Sequence, residues 1–300
     1  MNSEVLELPQ VRSMNLGSIG TVAVIGSGTM GNGIAHVFAR SGYSVILRDV
    51  ETRFLERAMD TIVKNLDREV KKGKIMQEDK TTILGRIHAT TEMSEISQAD
   101  FAVEAVPERM DLKLAVLREA DKLLRPKVIL ASNTSSISVT TLAAATSRSD
   151  RFVGMHFMNP VPVMVLIEVI RALQTSDETF QSTMELCGKL GKTPVAVNDA
   201  PGFVSNRVLL PMINEAAFAV MEGVATAEAV DAIMKLGMNH PMGPLELADF
   251  IGLDVCVDIL DVLHSGFGDS KYRACPLLRK MVAAGWLGRK SERGFYLYGT

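Results

Sequence analysis

The stretch that most constrains this chain is "TVAVIGSGTMGNGIAHVFARSGYSVILRDV", Thr21 to Val50. An apolar run, Val22 to Ile25, leads into Gly26, Gly28 and Gly31, then into a helical pattern and a second apolar run ending at Asp49. That order is one β-α-β unit with G-x-G-x-x-G between strand and helix, the context that turns a glycine pattern into a dinucleotide fingerprint. Gly26 permits the tight turn, Gly28 lets the backbone approach a pyrophosphate, and Gly31 lets helix and strand pack closely. Ser27, Thr29 and Met30 complete the loop, whose amides at the helix N-terminus favour phosphate charge. Asp49 is placed to accept hydrogen bonds from the adenosine ribose and to repel a 2′-phosphate, so NAD is the expected cofactor rather than NADP.

Strand-like runs then recur at Arg86–Thr90, Asp100–Val106, Lys127–Ser135, Arg151–Phe157 and Val165–Ile170, with helical stretches such as Asp111–Leu124 and Asp177–Leu190 between several of them. Alternation of this kind predicts an α/β fold: a doubly wound, Rossmann-type, mostly parallel sheet. A Lys-rich helical excursion interrupts it over residues 51–84. From Phe203 to Trp286 the apolar residues recur at helical spacing, which predicts a smaller all-α domain of four or five helices. The expected organisation is a tail over 1–19, a dinucleotide-binding domain over 20–200 and a helical domain over 201–300. Long apolar faces on so small a domain call for a second copy, so a homodimer through the helical domain is expected.

A net charge of −3 offers no general attraction to nucleic acid or anionic membrane. No apolar run reaches membrane-spanning length, and the first twenty residues carry Glu4 and Glu7 instead of a basic-then-apolar signal. Cys187, Cys256 and Cys275 are odd in number and widely spaced, against a disulfide framework or a zinc site. The expectation is a cytoplasmic protein with no metal.

The segment "GMHFMNPVPVMVLIEVI", Gly154 to Ile170, is strongly apolar yet carries His156 and Glu168. The residues alone leave two readings open: satisfied structural polar groups, or an acid/base with an orienting carboxylate. "KNLDREVKKGK" sets Lys64, Arg68, Lys71, Lys72 and Lys74 against Asp67 and Glu69. That run reads either as a solvated helix face or as a surface for a polyphosphate tail.

Taken together, "GSGTMGNGIA", "VEAVPE", "ASNTSS", "HFMNPVPVM", "LIEVI", "DAPGFVSNR" and "HPMGPLELADFIGLD" resemble the 3-hydroxyacyl-CoA dehydrogenases, most closely the single-function bacterial 3-hydroxybutyryl-CoA enzymes. The resemblance runs from about Gly20 to Tyr298. It implies hydride transfer between NAD and the (S)-3-hydroxyacyl-CoA/3-oxoacyl-CoA pair, with His156 as acid/base and Glu168 as its partner. It assigns Ser135 to the substrate 3-oxygen, and it makes Asn206, at the start of the helical domain, a group that completes the catalytic centre. Glu108, Lys113, Asn133, Asn159 and Lys290 become cofactor contacts, although lysines such as these otherwise read as solvated surface charge. Asn65 and Lys72 fall at CoA positions, with Ser135 and Asn159 also meeting the substrate. The sequence departs from the family pattern at Val165, where relatives commonly carry lysine, and at Met158, where a second phenylalanine is common. Two alternatives stand beside this reading: a dehydrogenase of a small hydroxy acid without CoA, and a catalytically silent NAD-binding protein.

Overall fold

The computed structural model describes residues 19–299; the expected tail lies almost wholly outside them. The chain divides into two compact units between Asp199 and Ala200.

In the first unit, eight strands form one sheet: β1 (Thr21–Ile25), β2 (Ser44–Arg48), β3 (Ile87–Thr90), β4 (Phe101–Glu104), β5 (Ile129–Ser132), β6 (Phe152–Phe157), β7 (Leu166–Arg171) and β8 (Thr193–Asn198). Their spatial order is β3-β2-β1-β4-β5-β6-β7-β8. Every neighbouring pair is parallel except β6 and β7. The central strands are short, nearly unbroken apolar runs, as a sheet covered on both faces requires. Pro194 is accommodated because β8 is an edge strand, where a missing N–H costs no ladder bond.

Among the described residues, six α-helices serve this unit: α1 (Thr29–Arg40), α2 (Thr52–Lys71), α3 (Gln77–Gly85), α4 (Met110–Leu123), α5 (Val139–Ala144) and α6 (Asp177–Lys189). The Lys-rich excursion is thus two helices, α2 and α3. Leu55, Ala58, Ile62 and Leu66 of α2 are buried at spacings of three and four, while Lys64, Arg68 and Lys71 stay exposed. The core gathers Val22 and Val24 from β1, Ile34 and Phe38 from α1, Phe101 and Val103 from β4, and Val153 and Met155 from β6.

The second unit consists of α7 (Ser205–Met221), α8 (Ala227–Gly237), α9 (Pro244–Ile251), α10 (Leu253–Phe267) and α11 (Pro276–Ala283). They enclose a separate core that includes Leu210, Ile213, Leu245, Leu253, Leu260 and Leu278. The C-terminal strip is held to it by two buried carboxylates. Asp249 accepts from the backbone N–H groups of Phe295 and Tyr296 and from the Tyr298 hydroxyl. Asp231 accepts from the Tyr296 hydroxyl and from the first amides of α9, those of Leu245 and Glu246. No helix among the described residues is long and apolar enough to cross a membrane.

Candidate active site

The glycine loop joins β1 to α1. Gly26 has a φ of +102°, and a Cβ there would sit 2.7 Å from the Ala105 carbonyl oxygen. At Gly31 a Cβ would come within 1.7 Å of the Gly26 carbonyl oxygen, so the turn closes on the helix only because both lack side chains. Gly28 is different. It is the N-cap of α1, donates no side chain to the orphan amides, and faces open space in which a Cβ would meet nothing within 4 Å. An uncapped helix start beside open space is what a pyrophosphate needs. Asp49 follows β2 at the same loop. Its Oδ2 accepts from the Ser27 N–H at 2.6 Å and the Ser27 hydroxyl at 2.7 Å, and its Oδ1 from the Val50 N–H. Asp49 therefore also fixes the loop itself, a duty its position in the sequence did not reveal. These features fit a dinucleotide.

His156 and Glu168 lie on β6 and β7, directly opposite in the antiparallel register. His156 Nδ1 is 2.7 Å from Glu168 Oε2, and both side chains are buried. An ionised carboxylate only accepts, so this contact selects the Nδ1–H tautomer and leaves Nε2 as the basic nitrogen. The turn joining the strands contains a cis Asn159–Pro160 bond and is gripped by Lys192, whose Nζ donates to the carbonyl oxygens of Val161 and Met164, each at 2.6 Å. The α1 helix packs on the same turn: a Cβ at Gly33 would come within 2.8 Å of Val161 Cβ. Val165 is exposed in front of β7, and Met158 is half-buried after β6.

The loop after β5 carries Asn133 and Ser135. Asn133 Oδ1 accepts the Phe157 N–H at 3.1 Å, tying the end of β5 to the residue after His156. Glu108 organises the serines. Its Oε1 accepts from the Thr134 hydroxyl at 2.6 Å, the Ser135 N–H at 2.8 Å and the Ser136 N–H at 2.9 Å, with the Ser135 and Ser136 hydroxyls at 3.3 and 3.1 Å. Burial by itself would raise the Glu108 carboxyl, but the Lys113 ammonium and these donors outweigh it and hold the group below its usual value.

Lys113 is not a solvated surface charge: the side chain has no accessible surface, and its ammonium donates to Glu104 Oε1 at 2.8 Å and the Val106 carbonyl at 3.2 Å, with Glu108 Oε2 at 3.4 Å. Glu104 is equally buried and also binds the Ser132 hydroxyl. A lysine near a helix start normally reads as solvated, and only the pairing with buried Glu104 reverses that.

Asn65 and Lys72 lie at the outer end of α2, where Asn65 Oδ1 accepts from Arg68 and Lys72 is the exposed C-cap. Asp67 pairs with Lys80 and Glu69 with Arg40, so the acids of this stretch are engaged and the remaining lysines give it a positive face. The other two assigned residues belong to the helical unit. Asn206 is the second residue of α7 and not its cap, which is Val204. Lys290 pairs with Asp254, 2.6 Å from Oδ2. The sequence carries no sign of the contacts that Lys192, Ser132 and Thr134 make, and it offers Glu104 only a structural role. Among the described residues no group of three or more His, Cys, Asp or Glu could hold a metal ion. The three cysteines are buried, and burial pushes the Cys187 and Cys256 thiols up to about 12.

Residues 21–200 match the NAD binding domain of 3-hydroxyacyl-CoA dehydrogenase, and residues 202–298 match its C-terminal domain. This chain belongs to the 3-hydroxyacyl-CoA dehydrogenase family. It is an NAD-dependent oxidoreductase of that family. The dehydrogenase is 57% identical over 275 residues to a protein of Deinococcus radiodurans named "Probable 3-hydroxybutyryl-CoA dehydrogenase", covering 92% of this chain and 99% of that one. It is 54% identical over 277 residues to the 3-hydroxybutyryl-CoA dehydrogenase of Bradyrhizobium diazoefficiens, covering 92% and 94%. Among solved structures, the (S)-3-hydroxybutyryl-CoA dehydrogenase of Ralstonia eutropha superposes with a TM-score of 0.93 at 50% identity, over 94% of this chain and 100% of that one.

Proposed function

We propose that this dehydrogenase interconverts (S)-3-hydroxybutyryl-CoA and acetoacetyl-CoA, with His156 as the acid/base. The observation that carries the reading is the buried cross-strand contact between His156 Nδ1 and Glu168 Oε2 at 2.7 Å. A carboxylate on Nδ1 fixes the tautomer and stabilises the imidazolium formed when Nε2 takes the proton of the 3-hydroxyl. In the reverse direction the same nitrogen returns that proton to the 3-oxygen.

NAD, when bound at the glycine loop, supplies the hydride acceptor or donor. The open N-terminus of α1 at Gly28 supports a role in holding its pyrophosphate, and Asp49 one in receiving its ribose. Ser135, set on a loop braced by Glu108 and adjoining Asn133, stabilises the reacting oxygen. The basic outer end of α2 with Asn65 and Lys72 holds the CoA phosphates, and Asn159 in the turn after β6 meets the substrate and cofactor. The same proposal gives Asn206 a hydrogen bond to substrate and Lys290 one to the cofactor. The similarity to named 3-hydroxybutyryl-CoA dehydrogenases supports the short acyl chain.

The proposal includes a homodimer through the helical unit, where Val208, Val224, Ile233 and Leu236 are all exposed. Sedimentation would give twice the mass of the 32.6 kDa chain; a monomer at micromolar concentration contradicts it. The substrate reading is tested by following NADH oxidation with acetoacetyl-CoA, longer 3-oxoacyl-CoA esters and free acetoacetate. The expected order of kcat/KM is acetoacetyl-CoA first, longer esters lower, free acetoacetate negligible. Absence of turnover with every CoA ester overturns the reading.

A further inference from the structure

Ser135 sits on a five-residue span, Ser132 to Ser136, both ends of which hang from one buried side chain. At the near end, Glu104 Oε2 accepts the Ser132 hydroxyl at 2.5 Å, and the Glu104 carbonyl accepts the Asn133 N–H at 2.7 Å. At the far end the link is ionic. Glu104 Oε1 accepts from Lys113 Nζ at 2.8 Å, and the same ammonium lies 3.4 Å from Glu108 Oε2, while Glu108 Oε1 takes the amides of Ser135 and Ser136. Glu104 Oε1 also accepts the Val106 N–H at 2.7 Å, which fixes the chain leading to Glu108.

The charge count makes the arrangement interdependent. One ammonium without accessible surface serves two carboxylates, of which Glu104 is fully buried and Glu108 is 31% exposed in its side chain. In a poorly solvated network each charge depends on the others for its solvation, so removing one changes the position of the rest. A neutral residue at 104 leaves Lys113 facing Glu108 alone and turns the acceptor of Ser132 into a weaker, uncharged one. His156 and Glu168 lie on other strands.

We propose that Glu104 is a positioning residue for Ser135, acting through Ser132 at one end of the loop and through Lys113 and Glu108 at the other. The inference rests on the reading of Ser135 as the group that meets the substrate oxygen. Displacement of such a group by about 1 Å is enough to cost on the order of 10²-fold in rate.

The test is a double-mutant cycle on kcat with acetoacetyl-CoA and NADH, using Glu104→Gln, Ser135→Ala and the double variant. Glutamine keeps the size and an acceptor but removes the charge. Glu104→Gln is expected to lower kcat at least tenfold, and the double variant to be no slower than Ser135→Ala within about twofold, because the loop residue through which Glu104 acts is already gone. A general structural defect would slow both backgrounds by the same factor. Losses that multiply in the double variant therefore overturn this inference while leaving the substrate reading of Ser135 intact; an inert Ser135→Ala overturns both. Should Glu104→Gln fail to fold, Ser132→Ala carries the same cycle, since it removes one contact and leaves every charge in place. The same non-multiplying pattern is expected, and multiplying losses overturn the inference.

Discussion

His156 and Glu168 face each other across the antiparallel pair of β6 and β7, with Nδ1 2.7 Å from Oε2. Opposed residues in such a pair share one face of the sheet, so strand register alone brings base and carboxylate together. Rigid strands hold this geometry more tightly than loops, and the Lys192 grip on the connecting turn keeps the register from slipping.

Glu168→Gln keeps the size of the side chain but loses the charge that stabilises an imidazolium. The expected result is a fall in kcat on the order of 10²-fold, with KM for acetoacetyl-CoA changed far less. Steady-state kinetics with NADH saturating measure both. A variant with near-normal kcat removes Glu168 from the chemistry.

The glycine loop separates packing from binding. Gly31→Ala forces a methyl group to within 1.7 Å of the Gly26 carbonyl, so both Tm and NADH affinity are expected to fall. Gly28→Ala meets no atom of the protein within 4 Å, so its Tm stays near that of the wild type while NADH affinity falls at least tenfold. Thermal unfolding and fluorescence titration of the two variants give the comparison. Equal affinity losses accompanied by equal Tm losses would contradict it.

His36 on α1 makes stability depend on pH. Its side chain has no accessible surface, its ring nitrogens have no hydrogen-bond partner among the described residues, and Glu69 Oε1 is 3.8 Å away. Burial first, then Arg40 and Lys192, lower its pKa from 6.5 to about 4. A base held below its unfolded value is protonated first in the unfolded chain. Its contribution is therefore intact above pH 6.5 and is lost as pH falls from 6.5 towards 4, by up to about 3 kcal/mol. His36→Gln is expected to lose less Tm than the wild type between pH 7 and pH 4.5. An identical loss in both proteins contradicts the assignment.

The β1-α1-β2 unit was legible because glycine spacing and apolar runs are local signals, and the structure places Gly26, Gly28, Gly31 and Asp49 around one loop. The sheet and the separate helical unit follow from periodicity in the same way. For His156 and Glu168 the spacing left the question open; the family resemblance pointed to a pair, and antiparallel register supplies the geometry. The burial of Lys113 could not be read from the sequence, because its partner Glu104 reaches it only through the fold, at the end of a different element. Asp231 and Asp249 went unread for the same reason, since Tyr296 and Tyr298 come to them from 65 and 49 residues away. Charged residues look solvated in a sequence until a distant partner is known.

The most direct measurement compares kcat for acetoacetyl-CoA reduction in wild type and His156→Ala, together with NADH affinity by fluorescence. Loss of a general acid is expected to lower kcat by about 10²- to 10⁴-fold while NADH binding stays within a few fold. A His156→Ala enzyme that turns over within about tenfold of the wild type would contradict His156 as the acid/base.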